Sequence, residues 1–393
     1  MKVVGISLLT VLFAMPAAHA QWEEDWNPWE TETEFGATIV LAPDADEQAL
    51  GMIWAGASTN RILDNGLEIG VSGRVEAQKD HPQRAGFSGI FIPGDSSQTG
   101  FQGAYTGLAS GPAPDEVDLR AELEEAYVYI DGGYGEVRLG RDEGVAARFQ
   151  ENAPSVFSTL ALGRQSLDPT GIDMVTTRHD VTGPSAKLSY ATPRLVGIRA
   201  GLSFTPKADV RGLDRDADRN LPGVAPITLT NAVEGSVNAS RLLREQGVRV
   251  SAALAASTAD VDTPFYATSV YDRVTTFSAG ARAEFETISL GFTWLQSDNG
   301  LAQSADYESW TAGVTKTFGK TRIGLEFGAA EDGLTSLEGD AWKIGIAHDV
   351  TEFARISLGY GENSLDRVAS EENIAAEWNN SPDGIVIEIT LSR

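Results

Sequence analysis

The 393-residue sequence has no cysteine and only four histidines. Past its first twenty residues, no run of about twenty apolar side chains appears. Each absence closes a class of protein. Without cysteine there is no small disulfide-stapled scaffold, so an exported chain must hold itself by extensive packing or by a closed sheet. Zinc patterns of the H-E-x-x-H and C-x-x-C kinds are absent. Without a long apolar run there is no transmembrane helix, and any membrane crossing must use strands. Basic residues are also short, at 30 Lys and Arg against 56 Asp and Glu, which argues against nucleic acid as a partner.

Catalytic groups are equally sparse. Past residue 20 the histidines are His81, His179 and His348. His179 has Asp180 beside it, but adjacent side chains in an extended segment point apart. No G-x-S-x-G nucleophile elbow occurs. An enzyme is not expected.

What is present begins with MKVVGISLLTVLFAMPAAHA. Lys2, the apolar stretch Val3 to Phe13 and the small-x-small site Ala18-His19-Ala20 read as a secretory signal peptide, residues 1–20. Cleavage there removes one base and no acid, which leaves 29 bases, 56 acids and a net charge of −27. Residues 21–33 form an acidic, Trp-rich leader, for which a periplasmic tail, an interfacial anchor and a plug are all open readings.

From residue 34 the dominant signal has period two. Thr321-Arg322-Ile323-Gly324-Leu325-Glu326-Phe327 alternates large apolar with charged or small residues, as do Leu67 to Glu76, Ile198 to Phe204 and Ile385 to Leu391. That is the strand template with one apolar and one polar face. Sixteen such runs are predicted, at 34–42, 49–59, 66–77, 119–130, 134–141, 184–192, 196–205, 230–240, 247–257, 274–285, 287–296, 307–317, 320–330, 340–349, 353–362 and 384–392. Short connections (131–133, 193–195, 318–319, 350–352) alternate with long ones (78–118, 142–183, 206–229, 258–273, 363–383), and the short first loop at 43–48 is the exception. This is the pattern of an all-β, up-and-down transmembrane barrel over 34–393. A soluble β-sandwich competes, but its apolar faces must pack on one another, and sixteen strands with small or charged inner residues offer no second face.

On that reading Val137, Leu139, Ile323, Leu325 and Phe327 face lipid, while Glu136 and Arg138 face water inside. Tyr127, Tyr129, Trp294, Trp310, Phe318, Trp342, Phe353 and Tyr360 suit interfacial girdles.

Three stretches then resemble one family. Glu125-Ala126-Tyr127-Val128-Tyr129 with Gly135-Glu136-Val137-Arg138-Leu139-Gly140-Arg141 is similar to the hairpin that precedes the pore-constricting loop of the Gram-negative general porins, in their alphaproteobacterial branch. Ser185-Ala186-Lys187-Leu188-Ser189-Tyr190-Ala191-Thr192-Pro193-Arg194-Leu195-Val196-Gly197 resembles their next hairpin, and Leu63-Asp64-Asn65-Gly66-Leu67-Glu68-Ile69-Gly70 their early turn. The resemblance implies a trimeric sixteen-stranded barrel in the Gram-negative outer membrane, in contact with lipid and lipopolysaccharide. It also implies a third loop (142–183) folded into the lumen, and passive diffusion of small hydrophilic solutes and ions. It would make the 78–118 loop a latch onto a neighbouring protomer. One departure is the ending Ile389-Thr390-Leu391-Ser392-Arg393, where the family usually has a terminal aromatic.

A pore selects by its width and by the charges at its narrowest place. In the porins that this chain resembles, loop acids face an arginine cluster across the aperture. The residues placed there are Arg74, Arg138, Arg141 and Arg199 on the wall, with Asp142, Glu143 and Glu151 on the loop. The net charge favours mild cation selectivity. A substrate-specific channel would show a line of inward aromatics; a structural or adhesive barrel closed by its loops is the other alternative. No cofactor is expected. Asp214, Asp216 and Asp218 start like a calcium loop, but Arg219 and Ala225 occupy its glycine and glutamate positions. Ca2+ at these acids, bridging lipopolysaccharide, stands against the plainer reading of a solvated loop.

Overall fold

The computed structural model describes residues 29–45, 47–81, 100–109, 119–208, 224–302, 305–367 and 378–393. The signal peptide, most of the Trp-rich leader and Asp214, Asp216 and Asp218 lie outside the described residues.

Every predicted run becomes a strand. The wall is built from β1 (Glu30–Leu41), β2 (Ala49–Ile62), β3 (Glu68–Lys79), β4 (Leu119–Gly132), β5 (Gly135–Arg141), β6 (Ala186–Ala191), β7 (Ile198–Ala208) and β8 (Thr228–Leu243). It continues with β9 (Val248–Asp262), β10 (Arg273–Phe285), β11 (Ile288–Ser297), β12 (Tyr307–Phe318), β13 (Thr321–Asp332), β14 (Leu337–Asp349) and β15 (Ala354–Arg367). A three-residue segment, β16 (Trp378–Asn380), pairs only with the end of β15, and β17 (Asp383–Ser392) carries the wall on to β1. All neighbours are antiparallel, and the β1–β17 pairing closes the sheet into a sixteen-position barrel. Closure leaves no wall-long sheet edge to pair with another chain.

The strands alternate faces as the sequence requires. Val137, Leu139, Ile323, Phe327, Ile344, Leu358 and Ile385 are all exposed on the outside, part of an apolar belt far beyond what a soluble surface carries. Trp310 and Tyr360 stand in the outer belt near the long-loop end, and Phe318 and Phe353 at the short-turn end. Trp342 packs against Tyr360 at a tilt of 56°, with ring centroids 5.7 Å apart. Tyr127 and Tyr129 depart from the expected girdle. Both point into the barrel, where the Arg138 guanidinium lies 4.6 Å from the Tyr127 ring centroid and the Tyr129 hydroxyl donates to Glu68 at 2.7 Å. Their strand neighbours Val128 and Ile130 are the exposed ones.

Inside, the wall is small and polar. Ser189, Ser203, Ser236, Ser278, Thr293, Thr311 and Ser357 are buried although they sit on the inner face. Something covers them, and it is the chain's own loops.

Candidate functional site: a constricted lumen

Residues 142–185, between β5 and β6, enter the barrel and run round its inner wall. The entry is set by Gly144, where any Cβ would collide with the Glu234 carboxylate on β8. A single helical turn, α1 (Val145–Arg148), follows. The backbone then tracks along the wall. Asn238 on β8 donates to the Phe149 carbonyl at 3.1 Å, the Ala153 N–H donates to Thr293 on β11 at 3.1 Å, and Ser357 on β15 donates to the Val156 carbonyl at 3.1 Å.

Wall glycines make this contact possible. A Cβ at Gly280, Gly313 or Gly359 would strike the Glu151 carbonyl, the Pro154 carbonyl or the Phe157 ring. Glycine inside a strand often marks such a close backbone approach.

At its far point the loop is held by one carboxylate. Glu388 on β17 accepts the N–H groups of Ser158 (2.7 Å), Thr159 (2.8 Å) and Leu160 (3.2 Å), and the Thr159 hydroxyl at 2.7 Å. Glu326 on β13 accepts from the Leu162 N–H at 3.0 Å, and Lys343 on β14 donates to the Leu160 carbonyl at 2.9 Å. Leu160 and Leu167 then pack on Val40, Leu50 and Met52 of β1 and β2.

The chain returns nearer the long-loop end. The Tyr307 hydroxyl accepts from the Thr176 N–H at 3.0 Å and donates to the Met174 carbonyl at 2.8 Å. The His179 ring sits between Ser278 and Ser257, 2.8 Å from each hydroxyl. It is a buried strut of the loop.

Of the residues expected at the aperture, three meet in one network, joined by Glu136 and Arg148. Arg138 donates to Glu136 at 2.9 Å and to Asp142 at 3.0 Å. Arg148 reaches Glu136 at 2.6 Å, and Arg199 lies 3.8 Å from it while its guanidinium packs 5.0 Å from the Phe149 ring centroid. The third expected member, Asp142, is buried.

The others stand apart. Arg141 turns to Glu122 and the Leu123 carbonyl on β4, after a left-handed Gly140 (φ 138°). Glu143 pairs with Arg178 across the loop's own two passes. Glu151 accepts from Asn238 at 2.9 Å. Arg74 belongs to a different chamber, a cavity of about 710 Å³ at the short-turn end that Glu32, Glu34, Trp54, Ser72 and Glu125 also line. There it lies 3.6 Å from Glu34 and 3.3 Å from Glu76.

The expected polarity, acids on the loop facing arginines on the wall, is only half present. The loop acids Asp142, Asp168, Asp173 and Asp180 are buried, whereas Arg164 on the same loop is exposed to the lumen. It lies within electrostatic reach of Arg178 and Arg282, as well as of Glu326 and Glu388. Arg282, in turn, acts on Arg322, which also feels Arg355. Glu388, Lys343 and Glu234 went unread in the sequence. Glu388 had a signal, as the one charge within the otherwise uncharged run Ile385 to Leu391.

The comparisons agree with this geometry. A family model described as Gram-negative porin matches residues 44–367. No curated protein matches the sequence. Among solved structures, an anion-selective porin from Comamonas acidovorans aligns over 93% of this chain and 100% of its own, with 14% identity and a TM-score of 0.57. OmpF of Salmonella typhi, in complex with daunomycin, aligns over 93% of this chain and 98% of its own, with 11% identity and a TM-score of 0.56. The trimer form of OmpT from Vibrio cholerae aligns over 93% of this chain and 99% of its own, with 11% identity and a TM-score of 0.54. With the closed wall, the apolar belt and a loop folded into a charged lumen, the match over most of the sequence makes this chain a member of the Gram-negative porin family, an outer-membrane channel.

Proposed function

We propose that this porin forms a water-filled channel for passive diffusion of small hydrophilic solutes and ions, exported by residues 1–20 and working as a homotrimer. The observation that carries the diffusion reading is the lumen itself. Its charged side chains point inward from a wall whose outside is apolar. Single channels in planar bilayers should conduct in proportion to salt. Block by one particular sugar or anion would favour a substrate-specific channel, and silence would remove both readings. The trimer draws support from the OmpT trimer form among the structural neighbours. Unheated protein should run on a gel as a species that heating converts to a chain starting at Gln21, and a single unheated band of monomer mass would refute the assembly.

For ion preference, the charge of −27 left after the signal peptide favours cations at both mouths, so mild cation selectivity is the first reading. A second reading, anion preference, rests on Arg164, exposed on the loop and within reach of Arg178 and Arg282. A reversal potential across a salt gradient decides between them. In either case Arg164→Glu replaces a positive with a negative charge in the narrow lumen and should move the reversal potential toward cation preference. An unchanged potential would place Arg164 outside the path.

A further inference from the structure

The first of the long loops does something inside its own barrel. Residues 100–109 belong to the connection between β3 and β4, yet they dock on the opposite wall. In a sixteen-position ring, β3 and β4 stand across from β11 and β12. The contacts are specific. Asn299, between β11 and β12, accepts the Thr106 N–H on its side-chain oxygen at 3.2 Å, and its carbonyl accepts the Ala104 N–H at 2.8 Å. The Tyr271 hydroxyl accepts the Gln102 N–H at 3.0 Å and donates to the Gln102 carbonyl at 2.8 Å. Tyr105 and Leu108 are each 1% exposed and pack with Leu229, Leu295 and Tyr307, inward residues at the long-loop ends of their strands.

Asn299 is itself fixed. It is fully buried at a positive φ of 54°, and its amide donates to Asp332 at 2.8 Å and to the Ala305 carbonyl at 3.0 Å. The segment also touches the constricting loop, because the Tyr105 hydroxyl donates to the Arg178 carbonyl at 2.8 Å. Arg178 carries the guanidinium that pairs with Glu143.

We propose that residues 100–109 are a second selectivity element, a strap of the channel's own chain that narrows the mouth above the constricting loop and steadies Arg178 beneath it. This differs from the latch onto a neighbouring protomer that the resemblance implied for this loop. The two narrowings lie in series, so the larger solutes meet the strap before they meet Arg164. The inference rests on the diffusion reading above.

Two variants of the full chain test it. The first, Gln102→Cys, gives a protein with no other cysteine a single thiol on the strap. During bilayer recording it is treated with a cationic and then, in a separate trace, an anionic methanethiosulfonate. Arg164→Cys serves as control. The second variant, Tyr105→Ala with Leu108→Ala, removes the two buried anchors, and liposome swelling is read with sugars of rising size. The strap predicts a stepwise, charge-dependent change in conductance on labelling residue 102. It also predicts entry of sugars that the wild type excludes, with a shifted reversal potential because Arg178 is no longer held. Unchanged conductance after labelling residue 102, alongside a clear change for residue 164, overturns the strap and leaves the pore intact. If the wild type does not conduct, the pore reading falls and the strap falls with it. If the double variant fails to fold, or the two experiments disagree, the labelling result decides.

Discussion

Replacing Glu388 with alanine should open and destabilise the constriction. One buried carboxylate gathers three backbone N–H groups and a hydroxyl from Ser158 to Leu160. These bonds are charge-assisted, and each donor left without an acceptor in a buried setting costs about 1–3 kcal/mol. Lumen water offsets part of that loss, but water does not fix a backbone in place as a wall carboxylate does. The loop's far point should then leave the wall intermittently. Single-channel traces of Glu388→Ala should show a higher mean conductance with new current noise, and the barrel should melt earlier when heated in detergent. Traces indistinguishable from wild type in level and noise would show that Glu326, Lys343 and the apolar contact with β1 and β2 suffice to hold the loop.

The wall glycines predict the opposite sign. At Gly280 and Gly313 a valine needs space that the Glu151 and Pro154 carbonyls occupy. The wall is continuous behind them, with β10 and β12 hydrogen-bonded on both sides to β9, β11 and β13, so the loop is the part that moves, and it moves toward the lumen axis. Overpacking of this kind costs about 1–3 kcal/mol per site. The double variant Gly280→Val with Gly313→Val should conduct less than wild type and exclude sugars that the wild type admits. A rise in conductance would mean that the loop detaches instead of shifting, and the proposed coupling between wall and aperture would be wrong. Together the two variants bracket the wild type, one from each side.

The wall was legible in the sequence because the membrane imposes a simple rule. Side chains alternate between lipid and lumen, so Ile323, Leu325 and Phe327 announce one face, and Arg322, Gly324 and Glu326 the other. The rule fails where both faces are apolar. In Tyr127-Val128-Tyr129-Ile130 either parity reads as lipid-facing, and only the packing of Tyr127 on Arg138 shows which one is inside. The loop's path was not legible, since nothing in its local sequence says which wall strands it will touch. Its partners are scattered from Val40 to Glu388 and are set by closure of the ring. The polarity of the aperture was misjudged for a related reason. Asp142 reads in sequence as an aperture charge, but the fold buries it, and it leaves Arg164 in the open.

The seam between β1 and β17 bears on how such a channel comes to exist. Phe35 and Arg393 exchange backbone hydrogen bonds of 3.0 and 2.9 Å, and the Thr38–Thr390 pair beside them joins residues 352 positions apart. No ring is possible until the final strand has arrived, so the long-range pairing comes last and the search is slow. Until then two long sheet edges, with the apolar belt between them, stand unpaired and prone to aggregation. With no cysteine there is no disulfide to hold a half-built state. An unfinished copy of this protein is therefore an open sheet with sticky borders, exposed to its siblings until the ring shuts.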